Sequence, residues 1–252
     1  PADMVGLQSI ADTHGLKIIE DSAQAHGAIH SLGRTGSIGD AAGFSFQSHK
    51  NLTSGEGGAL TTNDDGTFER ASMLHNAGRS CKGENRWEHK TLGLNCRPSE
   101  YVAALLLARF KSIEAEQERR AHNFALLRRH LEDIPCVQSL SSGPDTLRHG
   151  AHMFVFRYFP EHCGGTTIDE WLGVMGHEGS PTYRGYSCTM SNQPAMYRLA
   201  DMHPEYLRKM KTPVADAAAH QIAYIPHDVF LGTERDMDEL AKIFVKVWKH
   251  LS

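Results

Sequence analysis

The sequence contains no apolar run approaching the ~18 residues that a membrane-spanning helix needs, and its mean hydropathy is −0.41. An excess of positive charge is also missing. Lys plus Arg number 26 against 30 Asp plus Glu, a net charge of −4, and the pI is near 6.5. That balance argues against nucleic acid or an anionic membrane as the main partner. The opening Pro1-Ala2-Asp3 carries no basic stretch leading into an apolar one, so no secretory signal is expected and the predicted location is cytoplasmic. Cysteines are few. The five thiols, Cys81, Cys96, Cys136, Cys163 and Cys188, are odd in number, scattered and without a C-x-x-C pair. They suit a reducing compartment and read as buried or bystander thiols. Among 16 histidines, the His26/His30 and His149/His152 pairs lack a Glu or Cys at ligand spacing on a convincing helix, so no metal is expected.

What is present is ordinary globular material. Apolar residues make up 40% and charged residues 22% of 252 positions, enough for a packed core in one large domain, or one and a part. Met4 to His14 has helical apolar spacing, with Asp3 as N-cap and Gly15 as terminator. Leu16 to Ile19 reads as a buried strand stopping at Glu20-Asp21. Helix, turn and strand form half of a βαβ unit, so a largely parallel sheet is expected. Ala42–Phe46 and Ala59–Thr62 read as further strands, joined by the polar, glycine-rich 50–58 loop. A helix is predicted over 66–74, and one long helix from Pro98 towards Leu131. Its charged stretch, Glu114 to Arg120, reads as a solvated face or as the place where two domains meet. Beyond Pro135 the layout becomes α+β: a strand over 154–158, a helix over 168–177, a turn-rich segment to Ala217, a strand over 222–225 and a final helix over 237–251.

Two residues invite chemistry. Asp21 is a carboxylate at the C-terminal end of a strand, where open α/β sheets place ligands. Lys50 lies just past another strand end, at the mouth of the glycine-rich loop. A desolvated lysine there can lose its proton and attack a carbonyl. A strand-end lysine and a carboxylate on one sheet edge are what a pyridoxal phosphate site requires: one forms the Schiff base, the other keeps the pyridine nitrogen protonated. Residue types alone leave the ordinary reading open, since many α/β proteins have a strand-end Asp and a surface Lys.

The local sequence is more specific. Ile19-Glu20-Asp21-Ser22-Ala23-Gln24-Ala25-His26-Gly27-Ala28, Gly36-Ser37-Ile38-Gly39-Asp40 and Phe44-Ser45-Phe46-Gln47-Ser48-His49-Lys50-Asn51-Leu52-Thr53-Ser54-Gly55-Glu56-Gly57-Gly58 closely resemble the DegT/DnrJ/EryC1/StrS aminotransferases. These are fold-type I pyridoxal phosphate enzymes that aminate keto-sugars and cyclitols. The resemblance continues through Asn76-Ala77-Gly78-Arg79-Ser80, Leu92–Glu100, Glu178-Gly179-Ser180-Pro181, Gly185-Tyr186 and Ile225-Pro226-His227. It implies an α/β fold: an incomplete, mainly parallel large-domain sheet over residues 1–121 and a small α+β C-terminal domain over 122–252.

By the same resemblance, Lys50 is the Schiff-base lysine and the acid/base that moves the substrate proton. Asp21 pairs with the pyridinium nitrogen, Gln24 lies against the ring, Ser45 holds the phosphate, and Asn95 reaches the phosphate of a partner subunit in a homodimer. The cofactor is pyridoxal 5′-phosphate. The substrates are a keto-sugar or keto-cyclitol and an amino donor, glutamate or glutamine. Gln47 stands where many nucleotide-sugar aminotransferases have histidine; with the 225–232 segment, it resembles the cyclitol and aminoshikimate branch.

Two other readings remain on the same scaffold: a non-catalytic homologue, and a pyridoxal phosphate sugar dehydratase. The second subgroup typically replaces the Schiff-base lysine with histidine, whereas here Lys50 is present. The chain is expected to begin inside the family pattern, without the upstream strands, the phosphate-cradling turn at a helix N-terminus and the ring-stacking aromatic.

Overall fold

The computed structural model describes residues 1–82, 85, 87–143, 145–203 and 211–252. The chain divides into two compact units, Pro1–Ala121 with Ser142–His152, and His122–Ser141 with Met153–Ser252. No helix among the described residues is long and apolar enough to cross a membrane. All five cysteines are free thiols; Cys136 and Cys163 are buried, whereas Cys81 and Cys96 are exposed.

The first unit opens with α1 (Met4–His14). The Asp3 carboxylate accepts from the Gly6 amide at 2.9 Å, and Gly15, at φ 63°, ends the helix in the left-handed region. Both caps follow from side-chain chemistry the sequence already displays. The next strand, β1, spans Ile19–Asp21 rather than 16–19. The Leu16 amide still donates to the Ala11 carbonyl at 2.9 Å, so it belongs to the end of α1. The Ile18 amide donates to the Asp40 carboxylate at 2.9 Å. Ladder pairing therefore starts only at Ile19, opposite Ala41.

Short strands β2 (Ile29–His30) and β3 (Gly33–Arg34) follow, then β4 (Ala41–Ser45) and β5 (Gly58–Thr62). β1 runs parallel to β4, and β5 pairs antiparallel on the other side of β4. Glu20, at the centre of β1, is buried. Its carboxylate accepts from the amides of Gly36, Ile38 and Gly39 at 2.7–2.8 Å and so fixes the loop leading into β4.

α2 spans Asp65–His75. The single long helix expected over 98–131 is instead two, α3 (Glu100–Phe110) and α4 (Ile113–Leu131). At the break, the Ser112 hydroxyl lies 3.0 Å from the Arg109 carbonyl and 2.8 Å from the Glu116 carboxylate. A hydroxyl that competes locally for backbone groups in this way favours a helix boundary over a helix interior. β7 (Thr146–Arg148) pairs with β2 and completes a three-stranded sheet in the order β3-β2-β7.

The second unit holds β6 (Val137–Ser139), β8 (Met153–Tyr158), β9 (Tyr183–Arg184) and β10 (Ile222–Pro226), an antiparallel sheet in the order β6-β8-β10-β9. Its helices are α5 (Ile168–His177), α6 (Pro194–Met202), α7 (Pro213–Ala219) and α8 (Glu234–Leu251). The segment read as turn-rich thus contains two helices; its residues 204–210 lie outside the described residues. β8 alternates, burying Phe154, Phe156 and Tyr158. α8 buries Met237, Leu240, Ala241, Phe244 and Val247 at helical spacing. α5 and α8 each begin with a capping box, Thr167/Glu170 and Thr233/Asp236.

Trp171 of α5 sits among these layers, with its ring 4.9 Å from Tyr158 and 5.7 Å from Phe244. Its indole N–H has no hydrogen-bond partner among the described residues. Trp171→Ala is expected to cost about 3–5 kcal/mol by opening a cavity. Trp171→Phe leaves no orphaned acceptor behind and is expected to cost well under half of that. Urea unfolding of the two variants checks the ranking, and equal losses would contradict it.

Candidate active site

Parallel strands end at the same sheet edge, and the β1/β4 register makes that edge a site. Asp21 pairs with Gly43, and the Ser22 amide donates to the Gly43 carbonyl at 2.9 Å. Ser45 is the last residue of β4, two positions beyond Gly43. The chain therefore leaves β1 through Asp21–Gln24 and leaves β4 through Ser45–Lys50 on the same side. Oδ1 of Asp21 accepts from the Ala23 amide at 3.1 Å, while Oδ2 carries no hydrogen bond among the described residues. Gln24 is exposed and Lys50 half-buried.

The loop after β4 closes on itself. The Phe46 amide donates to the Gly57 carbonyl at 2.8 Å, and the Phe46 carbonyl accepts from the Ser54 amide and the Thr53 hydroxyl, each at 3.1 Å. Gly55 (φ 90°) and Gly57 (φ 133°) supply backbone angles that side-chain-bearing residues rarely adopt. Within the loop, the Lys50 amide donates to the Gln47 carbonyl at 3.0 Å. The Gln47 side chain turns back onto Ser48 and the His49 amide, at 2.8 Å each. The Lys50 ammonium forms no ion pair among the described residues.

A buried polar cluster, which the sequence reading missed, anchors this loop. Asn51 Nδ2 donates to Gln117 Oε1 at 3.1 Å and to the Gly150 carbonyl at 2.6 Å. Gln117 Nε2 donates to the Gly150 carbonyl at 2.8 Å and also to the His26 carbonyl. Arg120 Nη1 donates to Gln117 Oε1 at 2.9 Å, and the His152 ring nitrogen Nδ1 lies 3.1 Å from Asn51 Oδ1.

Gln117 and Arg120 are buried, so the charged stretch 114–120 is not simply a solvated face. The signal was helical spacing. Gln117, Arg120, Phe124, Leu127 and Leu131 form one buried stripe of α4, and stepping back from its apolar end by three and four residues reaches both polar members. Glu116, beside them, accepts from Arg109 at 3.0 Å and from Arg120 at 3.1 Å.

Asn95 stands apart. It is exposed and paired with Asn76 in an isolated bridge, and no hydrogen bond ties it to the other four candidates among the described residues. Its neighbours Leu94 and Cys96 line a cavity of 1060 Å³ together with Gly58, the ladder partner of Ser45.

The DegT/DnrJ/EryC1/StrS aminotransferase family matches residues 1–244. The chain belongs to that family. It is 33% identical to the L-glutamine:2-deoxy-scyllo-inosose aminotransferase of Streptomyces lividus, over 99% of this chain and 62% of that protein. The enzyme so named from Micromonospora echinospora is also 33% identical, over 98% of this chain and 62% of its own length. The chain thus spans about three-fifths of these relatives.

Among solved structures, 3-amino-5-hydroxybenzoic acid synthase superposes with a TM-score of 0.85 at 27% identity, covering 99% of this chain and 65% of that one. DesV of S. venezuelae superposes at 0.77 and 29%, covering 97% and 62%. The α/β fold expected from the resemblance is the fold observed, but the expected mainly parallel sheet is not: among the described strands β1 and β4 pair in parallel and the other ladders are antiparallel.

The site's donor set fits the pyridoxal phosphate that this family implies. One strand edge presents a carboxylate, a hydroxyl and, just beyond, a lysine; among the described residues one carboxylate oxygen is uncommitted and the lysine has no carboxylate partner.

Burial alone would push the Glu116 carboxyl up. The Ser112 hydrogen bond and the Arg109 and Arg120 charges outweigh that and hold it below the usual glutamate value. A lowered folded value means stability that is present above the unfolded pKa and lost as pH falls through the folded one. Glu116→Gln is therefore expected to destabilise the protein at about pH 7, by a margin that shrinks as pH falls to about 3, below the ordinary carboxylate range. Urea titrations at both pH values check this; a difference that persists undiminished in acid would contradict it.

Proposed function

We propose that this chain serves a pyridoxal-phosphate-dependent aminotransferase that moves an amino group from glutamine or glutamate to a keto-cyclitol or keto-sugar. The observation that carries the reading is the parallel pairing of β1 and β4, with Asp21 and the Lys50 loop leaving from one edge. Family membership and the named relatives support the reaction class and, through 2-deoxy-scyllo-inosose, a cyclic ketone acceptor.

Pyridoxal phosphate, when bound, supplies an aldehyde that receives the amino group and a pyridine ring that withdraws electrons from the reacting carbon. Lys50 holds the cofactor through its amine and, once released, takes and returns the proton at the substrate carbon that exchanges its amino group. Asp21 keeps the ring nitrogen protonated by placing a negative charge beside it. Gln24 would lie against the ring, and Ser45 would hold the phosphate through its hydroxyl. Asn95, exposed and apart from the other four, serves the phosphate of a second copy in a homodimer. In this reading residues 1–121 form the cofactor-binding portion and 122–252 the small domain of a cytoplasmic enzyme, except that 142–152 goes with the first unit.

The test uses the purified chain. With added pyridoxal phosphate it should develop visible absorbance, and borohydride followed by peptide mass analysis should find the cofactor's mass on Lys50. Amino transfer from glutamine or glutamate is then measured on 2-deoxy-scyllo-inosose and on nucleotide-linked keto-sugars. Lys50→Ala is expected to lower turnover by about 10²–10⁴-fold. Lys50→Arg should be no better, since it keeps the charge but neither role. Cofactor fixed on another lysine, or on none, would overturn the reading.

A further inference from the structure

The two loops that carry Asp21 and Lys50 are tied to one carboxamide. Gln117 Nε2 donates to the carbonyl of His26, five residues after Asp21. Gln117 Oε1 accepts from Asn51, the residue after Lys50, at 3.1 Å. The same Nε2 and the Asn51 amide both donate to the Gly150 carbonyl, at 2.8 and 2.6 Å.

The 149–152 segment is shaped to present that carbonyl. Ala151 is fully buried in the left-handed region at φ 50°, an unfavourable state for a residue with a Cβ that persists only where its surroundings enforce it. The Ala151 amide donates to His149 Nδ1 at 3.0 Å, and His152 Nδ1 reaches Asn51 Oδ1 at 3.1 Å. The segment also packs against the Asp21 loop: a Cβ at Gly150 would lie 3.1 Å from the Gln24 carbonyl and 3.2 Å from Ala25 Cα. Gly27 leaves room for Gln117, whose Cγ would be only 2.7 Å from an added Cβ there.

From this geometry we infer that Gln117 and Asn51 are positioning residues that set the Lys50 amine relative to Asp21. The inference rests on the role proposed for Lys50. A neutral carboxamide suits the task because it donates to two carbonyls and accepts from two donors in one fixed orientation, without adding a net charge to the interior.

Two samples test it. In cofactor-free protein with ¹³C-dimethylated lysines, Gln117→Leu and Asn51→Leu should each move the Lys50 methyl resonance and leave resonances of lysines in the second unit in place. In unmodified protein loaded with pyridoxal phosphate, both variants should lower kcat by about a hundredfold, the scale of a small misplacement, with KM nearly unchanged. Where a Leu variant fails to fold, Gln117→Met keeps the length of the side chain while removing its hydrogen bonds, and should give the same two effects.

A Lys50 resonance that stays put in the folded variants overturns the inference, even where the cofactor binds normally. Failure of the parent chain to place the cofactor on Lys50 instead overturns the proposed function. The resonance measurement still decides the positioning role in that case.

Discussion

The site depends on three ladder positions, Ile19, Glu20 and Asp21 against Ala41, Ala42 and Gly43. Because the two strands run the same way, the chain must leave both at one edge, and a carboxylate and an amine from distant parts of the sequence become neighbours in topology. A shift of one residue would turn Asp21 to the opposite face. The register is held from the side by Glu20, whose three amide bonds fix the Gly36–Gly39 approach to β4. Asp40 supports it too, gripping the Ile18 amide and the Lys17 ammonium at the other end of β1. Two acidic side chains that play no part in the chemistry thus keep the pairing in place.

Much of this was legible in the residues. The caps of α1 could be read from Asp3 and Gly15 because capping is local chemistry. β4, β5, β8, α5 and α8 announced themselves by apolar period and flanking turns. The pattern blurred where tertiary hydrogen bonds decide the outcome. Nothing in Leu16-Lys17-Ile18 shows that the Ile18 amide is taken by a carboxylate 22 positions away, so the strand was placed too early. Nor does apolar spacing across 98–131 reveal the break at Ser112, which turns on where one hydroxyl points.

The candidate site divides along the same line. Asp21 and Lys50 stood out by strand-end position as well as motif resemblance, while Gln24, Ser45 and Asn95 came from the resemblance alone; the first four lie on or just after the two strands that leave by one edge, whereas Asn95 lies on a separate exposed segment. The residues that hold the loops in place carried no motif. Gln117 and Arg120 sat inside a run of charges whose simplest reading was solvent exposure, and only continuation of the Phe124-Leu127-Leu131 stripe exposes the error. Polar residues on a buried helical stripe deserve the same treatment as apolar ones: they face something, and what they face is fixed.

Why that something is a set of amides rather than ions follows from the cost of burial. An ion pair at this depth would have to overcome a desolvation penalty of several kcal/mol for each ion. The Arg120 guanidinium is matched by Glu116, which retains some access to solvent and whose carboxyl is held below the usual glutamate value by Ser112, Arg109 and Arg120. The Arg120 charge is thus settled at the edge of the cluster, and the Gln117 and Asn51 amides at its centre are neutral. Neutral amides have a second consequence. Gln117 must point its NH₂ at the His26 and Gly150 carbonyls and its oxygen at Asn51 and Arg120, because the reverse orientation sets like against like at all four partners. A group with one acceptable orientation fixes which way the hydrogen bonds to the two loops run. Positioning of this kind, obtained from hydrogen-bond polarity and not from bulk, is what the role proposed for Lys50 requires.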